Sequence, residues 1–333
     1  MSGLFQLIMS ALLQQHIKPF ERHFRKPGLK ELCINRPGEV WLETVKGWEV
    51  KEDAIFDLDR LNAFASALAT ATGQRFDETH PLLGTSIPGH GHRIQIVGGS
   101  LVDSGFALSI RVSKQKRYDL SSYKIRFADD VTIPPDHVPP TERRRPPADK
   151  TLSRLAVDGW NLMLSGETGS GKTTLINELI HHIPATERII SIEDSKELLI
   201  EHPNQVRFLK SKSGTDIAKV TYAQIIDACM RLRPDRVLVG EISTDNVLAY
   251  LNLLNTGHKG GVCTIHANSA RNAVDAMVLR AQAAGMGGSA EMIQRYATQF
   301  LEAIAHIRHN EHSGDYEVAL ELLRPLTIEG VTA

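Results

Sequence analysis

Apolar and polar positions along the chain follow two rhythms. Through residues 1–132 the rhythm is mixed. Residues 31–35 and 39–43 alternate with a period of two around Arg36, Pro37 and Gly38, which predicts a β-hairpin with a Pro-Gly turn. Residues 58–71 are rich in Ala and Leu at helical spacing, whereas 93–97 and 107–112 alternate like strands. Together they predict a smaller α+β domain. From residue 151 onward the rhythm changes. Short apolar runs at 161–164, 188–192, 236–239 and 261–265 are separated by helical stretches such as 174–183, 222–232 and 247–254. This alternation predicts an α/β domain over 151–333, with a mostly parallel sheet covered on both faces. Such sheets bind ligands beyond the carboxyl ends of their strands.

Between the two rhythms lies a stretch of a different kind, residues 133–150. Pro134, Pro135, Pro139, Pro140, Pro146 and Pro147 crowd there with Arg143, Arg144 and Arg145. Proline fixes φ and removes amide donors, so an extended, semi-stiff linker is expected, with the arginines on a solvated face.

Composition narrows the class. The 333 residues are 42% hydrophobic and 23% charged, with 38 Lys+Arg against 39 Asp+Glu, as expected for two ordinary globular domains. A net charge of −1 gives no global pull toward nucleic acid or an anionic membrane, so any such contact needs a local patch. Cys33, Cys229 and Cys263 are too scattered for a zinc knuckle or a disulfide framework. No run approaches the roughly 20 apolar residues of a membrane span. The apolar stretch from Leu4 to Met9 reads as an amphipathic helix packed on the first domain, or as one lying on a membrane surface. His90, His92, His306, His309 and His312 bring no cysteine or acidic partner at ligand spacing, so a metal site is not expected there.

The chemistry concentrates after residue 160. Gly166, Glu167, Thr168, Gly169, Ser170, Gly171, Lys172 and Thr173 match the P-loop pattern, followed by Thr174. The loop follows an apolar run and opens a helix, as the motif requires. The glycines let successive amides point at a polyphosphate, and the helix adds its positive end. Lys172 supplies charge for the β- and γ-phosphates, and the Thr173 hydroxyl is placed for Mg²⁺. ATPase, GTPase, kinase and non-hydrolysing binder all remain open at this point.

Acidic residues then narrow the choice. Residues 236–239 run into Gly240 and Glu241. Many P-loop enzymes place an Asp where Gly240 stands, so Glu241 is expected to act on the metal's water shell; its plainer reading is a helix cap. Glu193 and Asp194 end another run. Glu193 is the candidate to orient the attacking water; the alternative is a surface acid at a strand end. His266 ends a fourth run behind a glycine-rich stretch. It is either structural or placed to report on the γ-phosphate.

In this order the motifs resemble the traffic ATPases of type II and type IV secretion. The "Asp box" of that family is matched by residues 188–194, its unusual second acidic motif by 230–242, and its "His box" by 256–268. In the first half, residues 34–39, 80–83, 93–97 and 108–111 are similar to the type IV branch that serves conjugation and effector export. The resemblance implies a RecA-like C-terminal domain and a homohexameric ring, with nucleotide held between the two domains of a subunit. It further implies Mg-ATP hydrolysis that drives a secreted protein or nucleoprotein, or pilus biogenesis. The site of action would be cytoplasmic, at the bacterial inner membrane beside its secretion-system components. Family arginines that approach the phosphates correspond to Arg111 and, less closely, Arg117; on the residues alone either is a surface salt-bridge partner. Ser243 departs from the family's usual arginine, and Ser113 and Lys114 from its Pro-Ser. A type II secretion or pilus ATPase, a nucleic-acid-stimulated RecA-like motor and a nucleotide-binding scaffold are the alternatives.

Overall fold

Alternation of buried and half-exposed positions gives the first half a one-sided sheet. The computed structural model describes residues 3–113, 117–128, 146–310 and 312–324, with side chains from residue 11 onward. Most of the expected linker, including Arg143–Arg145, lies outside these residues, as do Lys114, Gln115 and Lys116. The chain forms two compact units.

The first unit carries α1 (Gly3–Phe24), β1 (Glu31–Ile34), β2 (Glu39–Thr44), β3 (Gly47–Glu52), α2 (Leu58–Ala71), β4 (Leu82–Ser86), β5 (Arg93–Gly98) and β6 (Phe106–Arg111). Its sheet runs β3-β2-β1-β6-β5-β4 and is antiparallel throughout. Leu32, Val40, Leu42, Ile94, Ile96 and Ile110 cover one face and pack on Phe20 of α1 and on Phe64 and Leu68 of α2. Leu13 and Ile17 are buried in the same core, so from residue 11 onward α1 uses its apolar face for packing. Asp57 starts α2 by accepting from the Arg60 amide at 2.8 Å, which satisfies one of the helix's unpaired donors.

Two segments from far along the chain complete this unit, Asp194–Glu197 and Leu209–Lys219. Arg75 donates its amide to the Thr215 carbonyl (2.9 Å), and the Thr215 hydroxyl donates to Gln74 Oε1 (2.8 Å). Arg93 grips Asp194 at 2.9 Å and Glu197 at 2.8 Å.

The second unit holds β7 (Tyr123–Phe127), α3 (Ala148–Asp158), β8 (Leu162–Gly166), α4 (Lys172–His182), β9 (Ile189–Glu193), β10 (Gln205–Leu209), α5 (Tyr222–Arg231), β11 (Arg236–Val239), α6 (Val247–Asn255), β12 (Val262–His266), α7 (Ala270–Ala283), α8 (Ala290–Phe300), β13 (Ala303–His309) and β14 (Tyr316–Leu322). The order of its sheet is β10-β9-β11-β12-β8-β13-β14-β7. From β9 to β13 the neighbours are parallel; β14 reverses, and β7 lies parallel to β14. Met163, Ile190, Val237 and Cys263 face α5–α8. Leu162, Leu164, Ile189 and Leu238 face α3 and α4. Burial on both faces explains why these strands read as unbroken apolar runs.

One boundary differs from the sequence expectation. Local patterning carries the first domain to residue 132, but β7 pairs with β14 in the second sheet, so residues 117–128 belong to the second unit. Ladder pairing between segments so distant along the chain leaves no mark in local periodicity.

Candidate functional site

The P-loop lies where β8 gives way to α4. Gly166 closes the strand, and a Cβ there would sit 2.4 Å from the Ile307 carbonyl oxygen and 2.5 Å from Ser170 Oγ. Gly171 has φ +97° and is walled by the Tyr316 ring, 3.2 Å from where a Cβ would fall. Both positions therefore exclude side chains, the first by close approach and the second by backbone conformation as well. The Ser170 hydroxyl is buried and makes no hydrogen bond among the described residues. A buried, unsatisfied hydroxyl in a loop with no room for side chains fits a cradle built for an outside acceptor such as a phosphate oxygen.

Lys172 is buried, and its ammonium donates to the carbonyls of Gly166 and Glu167, both at 2.7 Å. Its third neighbour is His266 Nδ1 at 3.1 Å. A charged lysine only donates, so Nδ1 accepts and the ring proton sits on Nε2. Nε2 lies 3.4 Å from Glu241 Oε1. Lysine, histidine and glutamate from α4, β12 and the end of β11 are thus joined at one sheet edge. Parallel pairing produces this: His266 lies in register with Gly166, and β11 is the next strand over. Thr173 and Thr174 follow in the first turn of α4, where the helix's positive end favours anions.

Glu193 occupies a different setting. It ends β9, is buried, and accepts from Arg207 Nη2 (2.8 Å), Ser191 Oγ (3.0 Å) and the Leu198 amide (2.8 Å). Gly240 packs beside it; a Cβ there would lie 3.5 Å from Glu193 Cγ. The second-motif glycine and the Asp-box glutamate are therefore neighbours across β9 and β11.

The two candidate arginines part company. Arg117 lies 3.4 Å from the buried Glu178 of α4, which makes it the counter-charge of the P-loop helix. Arg111 ends β6 in the first unit, in register with Glu31 and Arg93.

Arg207, Ser191 and His306 escape a reading of the motifs. Arg207 sits in the alternating segment Gln205–Leu209, a weak strand signal. His306 pairs with Ser165 of the P-loop strand, and only the sheet order reveals that.

A P-loop on a central strand of a mostly parallel sheet, with a glutamate and a histidine brought to it from neighbouring strands, defines a RecA-like nucleotide hydrolase. Comparison with known proteins carries this further. The family model described as "Type II/IV secretion system protein" matches residues 107–301. The type IV secretion system protein VirB11 of Bartonella henselae is 31% identical over 304 residues, spanning 84% of each chain. PtlH of Bordetella pertussis is 33% identical over 277 residues, 79% of this chain and 80% of its own. In fold, the chain is similar to the pilus retraction motor PilT solved with ADP, with TM-score 0.61 and 20% identity over 92% of this chain and 82% of that one. The chain belongs to the type II/IV secretion system protein family and is one of its ATPases.

Proposed function

We propose that this protein is a homohexameric motor that hydrolyses Mg-ATP to power type IV secretion. The linked Lys172, His266 and Glu241 at the mouth of the P-loop are the observation that carries this reading. Their chemistry suits a triphosphate: Lys172 exchanges two neutral carbonyls for phosphate oxygens, and His266 sits between the lysine and the acid, where it senses a change at either. Thr173 and Glu241 would hold Mg²⁺, Glu241 through water; the metal supplies charge neutralisation at the terminal phosphates. Glu193 orients the attacking water, and it does so once Arg207 releases it, because a carboxylate whose lone pairs are filled by a guanidinium is a poor base. Arg111 is the arginine that the family resemblance assigns to the phosphates. Arg117 serves α4 and acts on the phosphates only if Glu178 lets it go.

The names of the relatives support a secretion role. The cargo class in this reading is a protein or nucleoprotein, and the site of action is the cytoplasmic face of the inner membrane, beside the secretion system's membrane components. No helix among the described residues is long and apolar enough to cross a membrane.

Phosphate release from the purified full chain, together with its mass in solution, tests the proposal. ATP hydrolysis by a six-membered assembly is expected. A monomer without turnover, or hydrolysis that requires single-stranded DNA, would overturn it.

A further inference from the structure

The carboxyl end of β8 is flanked by two histidines, and the mechanism above uses one. The other, His306, lies on β13 in register with Ser165, the residue just before the P-loop. Its Nδ1 is 3.0 Å from the Ser165 hydroxyl. Ser165 is fully buried; His306 is half-buried. The next residue, Ile307, closes on the loop: its carbonyl oxygen abuts Gly166 and its Cδ1 abuts Gly171. Tyr316, whose ring lies 4.7 Å from that of His309, completes this wall. The imidazole is therefore built into the support of the phosphate cradle.

The charges around it are few. Arg308 follows it on β13, Glu167 stands in the P-loop, and Lys172 opens α4. Glu317 of β14 pairs with Arg308 and offsets part of its charge, while the β14 residue facing His306 is Ala319. Burial is the main reason the ring resists protonation, and the positive charges of Arg308 and Lys172 add to that, opposed by Glu167. A triphosphate in the loop brings several negative charges to the same wall and reverses the balance.

We propose that His306 is a proton-linked positioning residue of the nucleotide site, taking up a proton as a triphosphate fills the P-loop and releasing it when the phosphates leave. The proton comes from solvent. Once the ring is charged, both ring nitrogens donate, Ser165 Oγ accepts from Nδ1–H, and the cation stands beside the cradle. The inference rests on the reading that this loop holds a triphosphate.

Isothermal titration calorimetry of the full chain with magnesium and adenylyl imidodiphosphate tests it. Running each titration in buffers of different ionisation enthalpy counts the protons taken up, across pH 6 to 8. The comparison protein is His306→Gln, which keeps a hydrogen-bonding side chain but cannot titrate. Subtracting the variant removes protons bound by the nucleotide itself. We expect wild type to gain about threefold in affinity relative to the variant between pH 8 and pH 6, since a one-unit rise in a linked pKa reaches its full effect of about tenfold only well below both values. Extra proton uptake at pH 6 should accompany it. Ser165→Ala retains the ring but removes its acceptor, so uptake should shrink while binding persists. A purely structural His306 would not alter the proton count. Equal proton uptake and parallel pH profiles in wild type and His306→Gln would overturn the inference and leave the P-loop reading standing. Absence of nucleotide binding to wild type at every pH would overturn both.

Discussion

Two stretches of the same sheet edge, separated by β11 and β12, handle charge in opposite ways. At the end of β8, Lys172 rests on two neutral carbonyls and a histidine, and the Ser170 hydroxyl has no hydrogen-bond partner among the described residues. At the end of β9, Glu193 is saturated by a guanidinium, a hydroxyl and a backbone amide. The first arrangement can trade its neutral partners for a ligand at little cost, because phosphate oxygens offer the lysine stronger, charge-assisted hydrogen bonds. The second resists exchange, since parting a buried ion pair strands both charges. In the proposed mechanism, binding is thus prepared in advance, and the orienting of water by Glu193 waits until Arg207 moves.

Lys172→Ala should break the first half of this contrast. Turnover is expected to fall by about 10²–10³-fold, the usual effect of losing one preorganised donor at a developing charge. Circular dichroism should stay unchanged, because the carbonyls that hold the lysine are neutral. Full phosphate release by the variant would refute the assignment. Arg207→Ala probes the second half. It leaves Glu193 buried without its counter-charge, so a loss of about 3–5 kcal/mol in urea unfolding is expected. Glu193→Gln in the same background should recover much of that stability without recovering turnover. Recovery of both would make Glu193 a structural acid.

A third test separates the site from the first unit by its proton sensitivity. Burial, with nearby Arg22, Lys51 and Lys26, holds the His23 imidazole down to about 4. Burial and His90 do the same for His92, also to about 4. Both folded values lie below the ordinary value of about 6.5, so the unfolded chain binds the extra protons. The stability these neutral rings preserve is present above pH ~6.5 and is lost as pH falls toward ~4, up to about 3 kcal/mol per histidine. His92→Gln should flatten the fall in urea midpoint between about pH 6.5 and 4.5; an identical pH profile would exclude the ring as its source. The smallest effect is expected from Gly171→Ala. With φ at +97° and the Tyr316 ring at 3.2 Å, about 1–2 kcal/mol of destabilisation is expected, together with weaker nucleotide binding. An unshifted thermal midpoint would show that the loop relaxes freely.

How much can be read in advance varies with distance along the chain. The 58–71 helix, the hairpin around Pro37 and the P-loop are legible because each is governed by residues a few positions apart. The segment from Arg188 to Asp194 is legible as a motif, yet its chemistry is not. Whether Glu193 faces water or Arg207 depends on β10, which the apolar pattern scarcely marks. Arg117, which the family resemblance places less closely near phosphate and the residues alone leave as a salt-bridge partner, lies 3.4 Å from Glu178, a residue whose burial cannot be seen in its neighbours. The first domain, expected to reach residue 132, ends sooner because β14, formed late in the chain, claims β7 through a ladder.

The sequence by itself determined the element types, the phosphate loop and the family, because those follow from spacing within a single turn or strand and from glycines that no other residue can replace. Tertiary structure alone decided which charges meet. Lys172 found His266 and His266 found Glu241, Glu193 found Arg207, and His306 found Ser165 through strand order and register. Electrostatic partnership depends on distance in space, which falls to about 3 Å between Lys172 and His266 and between Ser165 and His306, pairs that the chain itself keeps far apart.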